Sequence, residues 1–308
     1  MKLLDRTLLR LLDRARLPVR PQIAARDQGA HRSPILASGV EFADHRKYVP
    51  GDDVRHVDWK AFARHRQLLV RQFTEDRDIR VYVLMDASRS MERGATVDEA
   101  APRGSLLPVG RSKLGLAKTM AAAFAYVGTK DFDRVRVLPF ATDVDATVPV
   151  VRSRMELPAL DNALDEELAI DAPETSFVAA ARAFSQRYVT RGMCVVITDL
   201  MAPDGWEEGL RRLASLGHQL IVVHVQCDED DKPDLRGEVE LVDSESGELV
   251  RLRVTPSLLE QYRKLIGEHA AKVEDVTKRA GGRYVAVRVE ESPEIVARRV
   301  LVAGGGKA

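Results

Sequence analysis

The chain has 308 residues, of which 47 are basic and 47 acidic, so its formal net charge is zero. This balance argues against a general nucleic-acid or membrane-surface binder, and 5% aromatic residues are too few for a base-stacking platform. A hydrophobic fraction of 45% is ordinary for a globular protein and suffices for one large or two modest domains. The two cysteines, Cys194 and Cys227, lie in apolar stretches without a CxxC pair, which predicts reduced, buried thiols.

The first twenty residues combine leucines and arginines at helical spacing, which predicts an amphipathic helix, with a linker to residue 28. The apolar stripe of this helix consists of Leu4, Leu8, Leu11 and Leu12. Such a helix can pack on its own domain, dock on a partner protein or lie on an anionic membrane surface. The residues alone leave these three alternatives open.

Two features of the chain bear on its location. The most apolar stretch, between Lys118 and Lys130, is well short of the roughly 20 residues that span a bilayer. The N-terminal segment carries charges throughout and lacks the apolar core of a secretory signal peptide. We therefore expect a cytoplasmic chain with no transmembrane segment, and peripheral association with a membrane as the alternative.

From residue 80 onward, short apolar strands alternate with amphipathic helices. The predicted strands are 79–85, 134–140, an edge strand at 143–151, 193–198, 219–226 and 283–289. The predicted helices are 113–128, 156–167, 176–189, 205–217, 258–280 and 293–302. This alternation is typical of an α/β fold, with a mainly parallel sheet covered by helices on both faces.

Two stretches interrupt the alternation. Residues 92–112 are rich in glycine, proline and polar residues, which predicts a flexible loop. Residues 228–248 carry ten acidic and two basic side chains, and alternation on either side of a Ser-Glu-Ser-Gly turn predicts an acidic hairpin insertion at about 228–255. Its acidic side chains are either solvated or face a basic partner surface.

Oxygen-bearing side chains follow two of the predicted strands. Asp86, Ser88 and Ser90 alternate at the end of the first strand, and Asp199 ends another. Ligands of open parallel sheets bind beyond the carboxyl ends of the strands, and oxygen-only ligands suit a hard cation such as Mg²⁺. Thr175, just before a helix, adds a third loop. The alternative is that these side chains only cap turns and helices.

The stretch 80–304 resembles a von Willebrand factor A-type domain, a Rossmann-like α/β fold. The residues that match its metal-ion-dependent adhesion site are Asp86, Ser88, Ser90, Thr175 and Asp199. The resemblance implies that the hydroxyls bind Mg²⁺, or Mn²⁺ or Ca²⁺, directly, and that the acids act largely through water. It also implies an open coordination position for a carboxylate from a protein ligand.

The preceding segment resembles the signature of the bacterial family known as domain of unknown function 58. The matching residues are Gly39, Glu41, Phe42, Arg46, Tyr48, Pro50, Gly51, Asp52, Asp53, Arg55, Val57, Asp58, Trp59, Ala63 and Arg64. Together the two resemblances cover residues 29–304. They imply a signature segment at 29–79 packed on the main domain, and a MoxR-type AAA+ ATPase as partner.

Within the signature segment, alternation after a Pro-Gly-Asp turn predicts an extended strand that includes Val57 and Trp59. The arginines Arg46, Arg55 and Arg64 either pair with nearby acids in a salt-bridged clasp or form a basic docking surface for a partner. Residues 45–71 carry seven lysines and arginines against three aspartates. Nucleic-acid or phospholigand binding is therefore an alternative, but the interleaved aspartates speak against specific nucleic-acid recognition.

Enzyme motifs are missing from the sequence. It has no Walker motif, no G-x-S-x-G nucleophile elbow and no HExxH zinc pattern, and nothing supplies a matched acid and base. We therefore predict a non-catalytic, divalent-metal-dependent protein–protein interaction module, acting as an adaptor for the ATPase in a chaperone-like or maturation assembly. A metal-dependent hydrolase is the alternative.

Overall fold

The computed structural model describes residues 2–17, 40–49, 57–75, 80–92, 112–131, 134–165, 176–201, 204–243 and 247–302. The chain divides into two compact units. The first, called the sheet domain, comprises Met1–Ile23 and Ile79–Ala308, and the second, called the signature unit, comprises Ala24–Asp78. The N-terminal helix therefore belongs to the sheet domain.

Helix α1 (Arg6–Leu12) is shorter than the twenty residues predicted from the leucine spacing. It begins at Asp5, whose carboxylate accepts a hydrogen bond from the backbone N–H of Leu8 at 2.7 Å, a typical N-cap. Its leucine stripe enters the main core of the sheet domain, where Leu8 and Leu12 are buried and Leu11 is half-buried. Of the three alternatives for this helix, packing on its own domain is the one observed.

The signature unit contains an antiparallel pair, β1 (Val40–Lys47) and β2 (Leu69–Glu75), with helix α2 (Trp59–His65) between them in the chain. The prediction of an extended strand through Trp59 was wrong. Asp58 accepts a hydrogen bond from the backbone N–H of Ala61 at 3.0 Å, so it caps α2 and ends the extended stretch.

The three signature arginines fall in different parts of this unit. Arg46 lies in β1, and Arg64 is exposed on α2. Arg55 lies outside the described residues. The choice between a salt-bridged clasp and a docking surface stays a prediction.

A five-stranded parallel sheet forms the centre of the sheet domain, with strands β3 (Arg80–Asp86), β4 (Arg134–Phe140), β5 (Gly192–Thr198), β6 (Gln219–Gln226) and β9 (Arg283–Arg288). Their order across the sheet is β4-β3-β5-β6-β9. The three central strands are almost wholly buried, as expected for strands covered on both faces. The predicted α/β fold class is confirmed.

Helices cover both faces of this sheet. The helices that follow α2 are α3 (Lys113–Asp131), α4 (Leu157–Asp165), α5 (Phe177–Arg187), α6 (Trp206–Ser215), α7 (Asp228–Asp231), α8 (Pro256–Arg279) and α9 (Pro293–Ala297). One core contains α1, α3, α4 and α9, and the other contains α5, α6 and the C-terminal half of α8. Alternate side chains of each central strand enter the two cores, so the sheet is doubly wound.

Two further segments lie outside the central sheet and its covering helices. Strands β7 (Gly237–Val242) and β8 (Leu249–Val254) form an antiparallel hairpin. The predicted edge strand at 143–151 is replaced by two isolated bridges, Phe140 with Val144 and Val135 with Val151. This segment contains Pro149, which lacks the N–H that a paired strand requires.

Candidate functional site

The candidate site lies where β3 and β5 end side by side. Met85 of β3 is paired with Ile197 of β5, so Asp86 and Asp199 both follow at the carboxyl edge of the sheet. After Asp86 the chain turns into a short 3-10 helix (Arg89–Glu92). Ser88 directly precedes this helix, and Ser90 lies in it. Parallel topology is thus the reason that residues more than a hundred positions apart meet at one edge.

The structure brings four of the five predicted ligands to this edge, namely Asp86, Ser88, Ser90 and Asp199. Thr175 lies outside the described residues. Its neighbour Ser176 donates its backbone N–H to the carbonyl of Ala141 at 3.1 Å, directly after β4. Because β4 pairs with β3, Ser176 lies at the same sheet edge as Asp86. Ser176 also caps α5, accepting from the N–H of Ala179.

Both carboxylates of the site are buried and already accept protein hydrogen bonds at each oxygen. Oδ1 of Asp86 accepts from the backbone N–H of Ser88 at 3.0 Å, and Oδ2 accepts from the hydroxyl of Thr198. Oδ2 of Asp199 accepts from the Lys113 ammonium at 2.7 Å, and Oδ1 accepts from the N–H of Met201 at 3.2 Å. The carboxylates are therefore oriented before any ligand arrives.

The two serine hydroxyls lie together beside these carboxylates. Their Oγ atoms are 3.0 Å apart. A hydroxyl offers two acceptor lone pairs and one rotating donor, so it can turn a lone pair toward a cation at little cost. The set of two hydroxyls and two oriented carboxylates is all oxygen, which fits a hard divalent cation such as Mg²⁺.

The Asp86 carboxyl has an unusual proton affinity. Burial, and secondly the negative charge of Asp199, raise the pKa of Asp86 from 3.8 to about 7. Hydrogen bonds from Thr198 and Ser88 act in the opposite direction without cancelling the rise. A divalent cation at this place would oppose the shift, because it stabilises the ionised carboxylate.

Two histidines hold the backbone turn that follows β5. Nε2 of His224 donates to the carbonyl of Asp199 at 2.9 Å, and Nε2 of His269 donates to the carbonyl of Leu200 at 3.0 Å, since a carbonyl can only accept. Leu200 has a φ of +51°, which is rare for a residue with a branched side chain. The histidine pair thus keeps a strained turn in place and aims Asp199 at the site.

The structure adds a lysine that the sequence motifs did not reveal. Lys113 begins α3, and its ammonium contacts Asp199 at 2.7 Å and Asp230 of α7 at 2.6 Å. Burial by itself lowers the pKa of Lys113, but the attraction of the two carboxylates outweighs it and raises the pKa to about 12. A cation at a helix N-terminus opposes the helix dipole, and that unfavourable placement was the available sequence signal.

The acidic stretch that begins at Asp228 is more ordered than a solvated run of charges. Asp230 binds Lys113, while Asp228 and Asp231 bind the guanidinium of Arg288 at 2.6 and 2.7 Å. These contacts attach α7 to the start of α3 and to the end of β9, beside the candidate site. Within the described ranges, no group of three or more histidine, cysteine or carboxylate side chains is arranged to hold a metal ion.

The fold and site define an α/β domain with a cluster of oxygen-bearing side chains at the carboxyl edge of a doubly wound parallel sheet. Residues 44–272 match the family model described as protein of unknown function DUF58. This match covers more than half of the chain, and the chain belongs to the DUF58 family. Among the residues that the structure describes, no helix is both long and apolar enough to cross a membrane.

Similar proteins were found among curated sequences and solved structures. Uncharacterized protein Rv1480 of Mycobacterium tuberculosis is 27% identical over 273 residues, covering 85% of this chain and 78% of the relative. The solved conserved hypothetical protein BatB from Bacteroides thetaiotaomicron is 19% identical, with a TM-score of 0.41 over 72% of this chain and 97% of that chain.

A second solved structure is proximal thread matrix protein 1 from the mussel byssus, with a zinc-occupied MIDAS motif. It is 11% identical, with a TM-score of 0.40, and the match covers 73% of this chain and 47% of that chain. These structural scores are too low to assign a site or an activity to the present chain.

Proposed function

We propose that this chain is a non-catalytic protein–protein interaction module that depends on a divalent cation. The cation, Mg²⁺ or in its place Mn²⁺ or Ca²⁺, would be held by Asp86, Ser88, Ser90, Thr175 and Asp199. When bound, it would supply a positive charge with an open coordination position. A glutamate or aspartate of a partner protein is the ligand that such a position attracts.

One observation carries the proposal. Each oxygen of Asp86 and Asp199 already accepts a hydrogen bond from the protein. Carboxylates engaged in this way contribute less negative charge to a cation than free ones, so the hydroxyls of Ser88 and Ser90 are its natural direct ligands. A cation that keeps much of its charge retains affinity for an outside carboxylate, which is what an adhesion-type site requires.

The same geometry speaks for binding rather than hydrolysis. The ammonium of Lys113 is held between two carboxylates, which keeps it charged and unsuitable as a base. His224 uses both ring nitrogens, one toward the carbonyl of Asp199 and the other toward the hydroxyl of Tyr284 at 2.8 Å. These two titratable groups beside the site are therefore occupied in structural contacts, and a bound cation would hold Asp86 in its ionised form, whereas a hydrolase needs a group poised to move a proton.

The partner we propose is a MoxR-type AAA+ ATPase, with the present chain as a cytoplasmic adaptor in a chaperone-like or maturation assembly. Support for it comes from membership of the DUF58 family and from the signature residues of the N-terminal segment. In this proposal, Arg46, Arg55 and Arg64 provide a second contact region. Their basic charge complements acidic side chains of a partner.

The proposal predicts that the ATPase is captured through the cation site. With Asp86→Asn on immobilised chain, we expect capture of a MoxR-type ATPase in Mg²⁺ to fall at least tenfold, because the site loses an anionic ligand. EDTA should have the same effect on the unchanged chain. Since the ATPase itself needs Mg²⁺ for its nucleotide, the variant in constant Mg²⁺ is the decisive comparison.

A matched control is Asp275→Ala, which removes an exposed carboxylate on α8 that pairs with Arg279 one turn along the same helix. It should capture the ATPase as the unchanged chain does. If Asp86→Asn captures the ATPase as well as Asp275→Ala does, the proposed interaction through the cation is wrong.

A further inference from the structure

Lys113 is the buried cation of the sheet edge. Its side chain is 1% exposed, and it lies between Asp199, also buried, and Asp230, which is 13% exposed. Both contacts are shorter than 2.8 Å, as expected for charge-assisted hydrogen bonds. A lysine is almost never buried in this way unless it is paired, so the position reflects the two acids beside it.

The lysine is anchored from outside the proposed cation site. Asp230 belongs to α7, and the neighbouring Asp228 and Asp231 hold Arg288. The backbone of Lys113 is held at the start of α3, where the hydroxyl of Ser112 caps the helix by accepting a hydrogen bond from the N–H of Gly115 at 2.9 Å. Because both supports are independent of Asp86, Ser88 and Ser90, the ammonium can stay in place while these residues bind a ligand.

We infer that Lys113 sets the charge of the cation site, so that the loaded site is neutral and accepts a carboxylate. This rests on the proposed function. Asp86 and Asp199 of the site and Asp230 just outside it contribute three negative charges and Lys113 one positive charge, so a divalent cation brings the sum to zero. Without the ammonium, the loaded site would carry one negative charge and would repel an incoming carboxylate.

Lys113 is thus a positioning residue that sets the charge of the site, and its effects on the two ligands have opposite signs. Its ammonium repels the divalent cation and therefore weakens cation binding. The same charge lowers the repulsion that a partner carboxylate meets, and therefore strengthens carboxylate binding. Asp230 must act in the reverse sense, because it cancels the charge of Lys113 from outside the site.

The experiment compares Lys113→Met with Asp230→Asn, using Mn²⁺ and acetate as probes. Calorimetry measures Mn²⁺ affinity, and the paramagnetic relaxation of acetate methyl protons measures acetate binding to the Mn²⁺-loaded protein. We expect Lys113→Met to bind Mn²⁺ about tenfold tighter and acetate several-fold more weakly. Asp230→Asn should bind Mn²⁺ about tenfold more weakly and acetate more tightly.

Asp228→Asn is the matched control. It removes the same charge from the same helix, but Asp228 pairs with Arg288 rather than with Lys113. It should change either affinity less than twofold. Asp230→Asn keeps the contact of Lys113 with Asp199, so it carries the test if Lys113→Met folds poorly.

The outcomes separate this inference from the function on which it rests. Loss of both affinities in both variants, or no change in either affinity, would mean that Lys113 has a purely structural role. Either result would overturn the inference but would not contradict a cation site in the unchanged protein. Failure of the unchanged protein to bind Mn²⁺ would overturn the inference and the proposed function together.

Discussion

Replacing Lys113 by methionine is expected to lower the free energy of unfolding of the cation-free protein by about 3–5 kcal/mol. The substitution fits the volume of the lysine stem but leaves Asp199 and Asp230 without their shared counter-charge in a buried place. Removal of one member of a buried ion pair is costly because the remaining charge is desolvated and uncompensated. Urea unfolding at pH 7.5 in EDTA measures the loss.

Two further variants test the cause. Adding Asp199→Asn to Lys113→Met removes one of the stranded carboxylates and should recover part of the lost stability. Lys264→Met, which changes an exposed lysine of α8 paired with Glu268 on the same helix, should alter the free energy of unfolding by less than about 0.5 kcal/mol. A loss below about 1 kcal/mol for Lys113→Met would contradict a buried, doubly paired ammonium.

The second large effect is a pair of opposed pH dependences in the cation-free protein. Between pH 3.8 and about 7, the native state holds a proton on Asp86 that the unfolded chain has released, so stability falls as the pH rises. Burial lowers the pKa of His224 from 6.5 to about 4. Between these values only the unfolded chain protonates His224, so stability rises with pH.

Single variants should separate the two contributions. Relative to the unchanged protein, Asp86→Asn should gain stability as the pH rises from 4 to 7, by on the order of 3 kcal/mol. His224→Gln should gain relative stability as the pH falls from 6.5 to 4, by a similar amount. Denaturant unfolding in EDTA across this pH range measures both differences. If either difference is independent of pH, the corresponding group titrates normally in the folded protein.

The parallel sheet and its helices could be predicted because the hydrophobic pattern of each element indicates which of its faces are buried. Strands such as β3 and β5 are continuous apolar runs, which is the pattern of strands covered on both faces. The place of the four described candidate residues at the sheet edge could be predicted for the same reason. Polar side chains directly after a buried strand must lie at a sheet edge, and parallel strands end at the same edge.

The parts that sequence reasoning missed depend either on contacts between distant residues or on a local competition between two patterns. Lys113 and Asp230 are 117 positions apart in the chain, and no local pattern announces that they meet. The start of α2 was missed because the alternation of Val57 and Trp59 fits a strand, whereas the cap at Asp58 outweighs it. The packing partner of α1 could not be predicted, because an amphipathic pattern indicates that one face of the helix is covered but does not indicate what covers it.

The most direct test of the proposed cation site is a crystal structure grown with saturating Mn²⁺ and recorded at a wavelength where manganese scatters anomalously. The account predicts one strong anomalous peak per chain at the carboxyl ends of β3 and β5, within direct coordination distance of the Ser88 and Ser90 hydroxyls. The absence of a peak at these hydroxyls in crystals of the folded protein would contradict it.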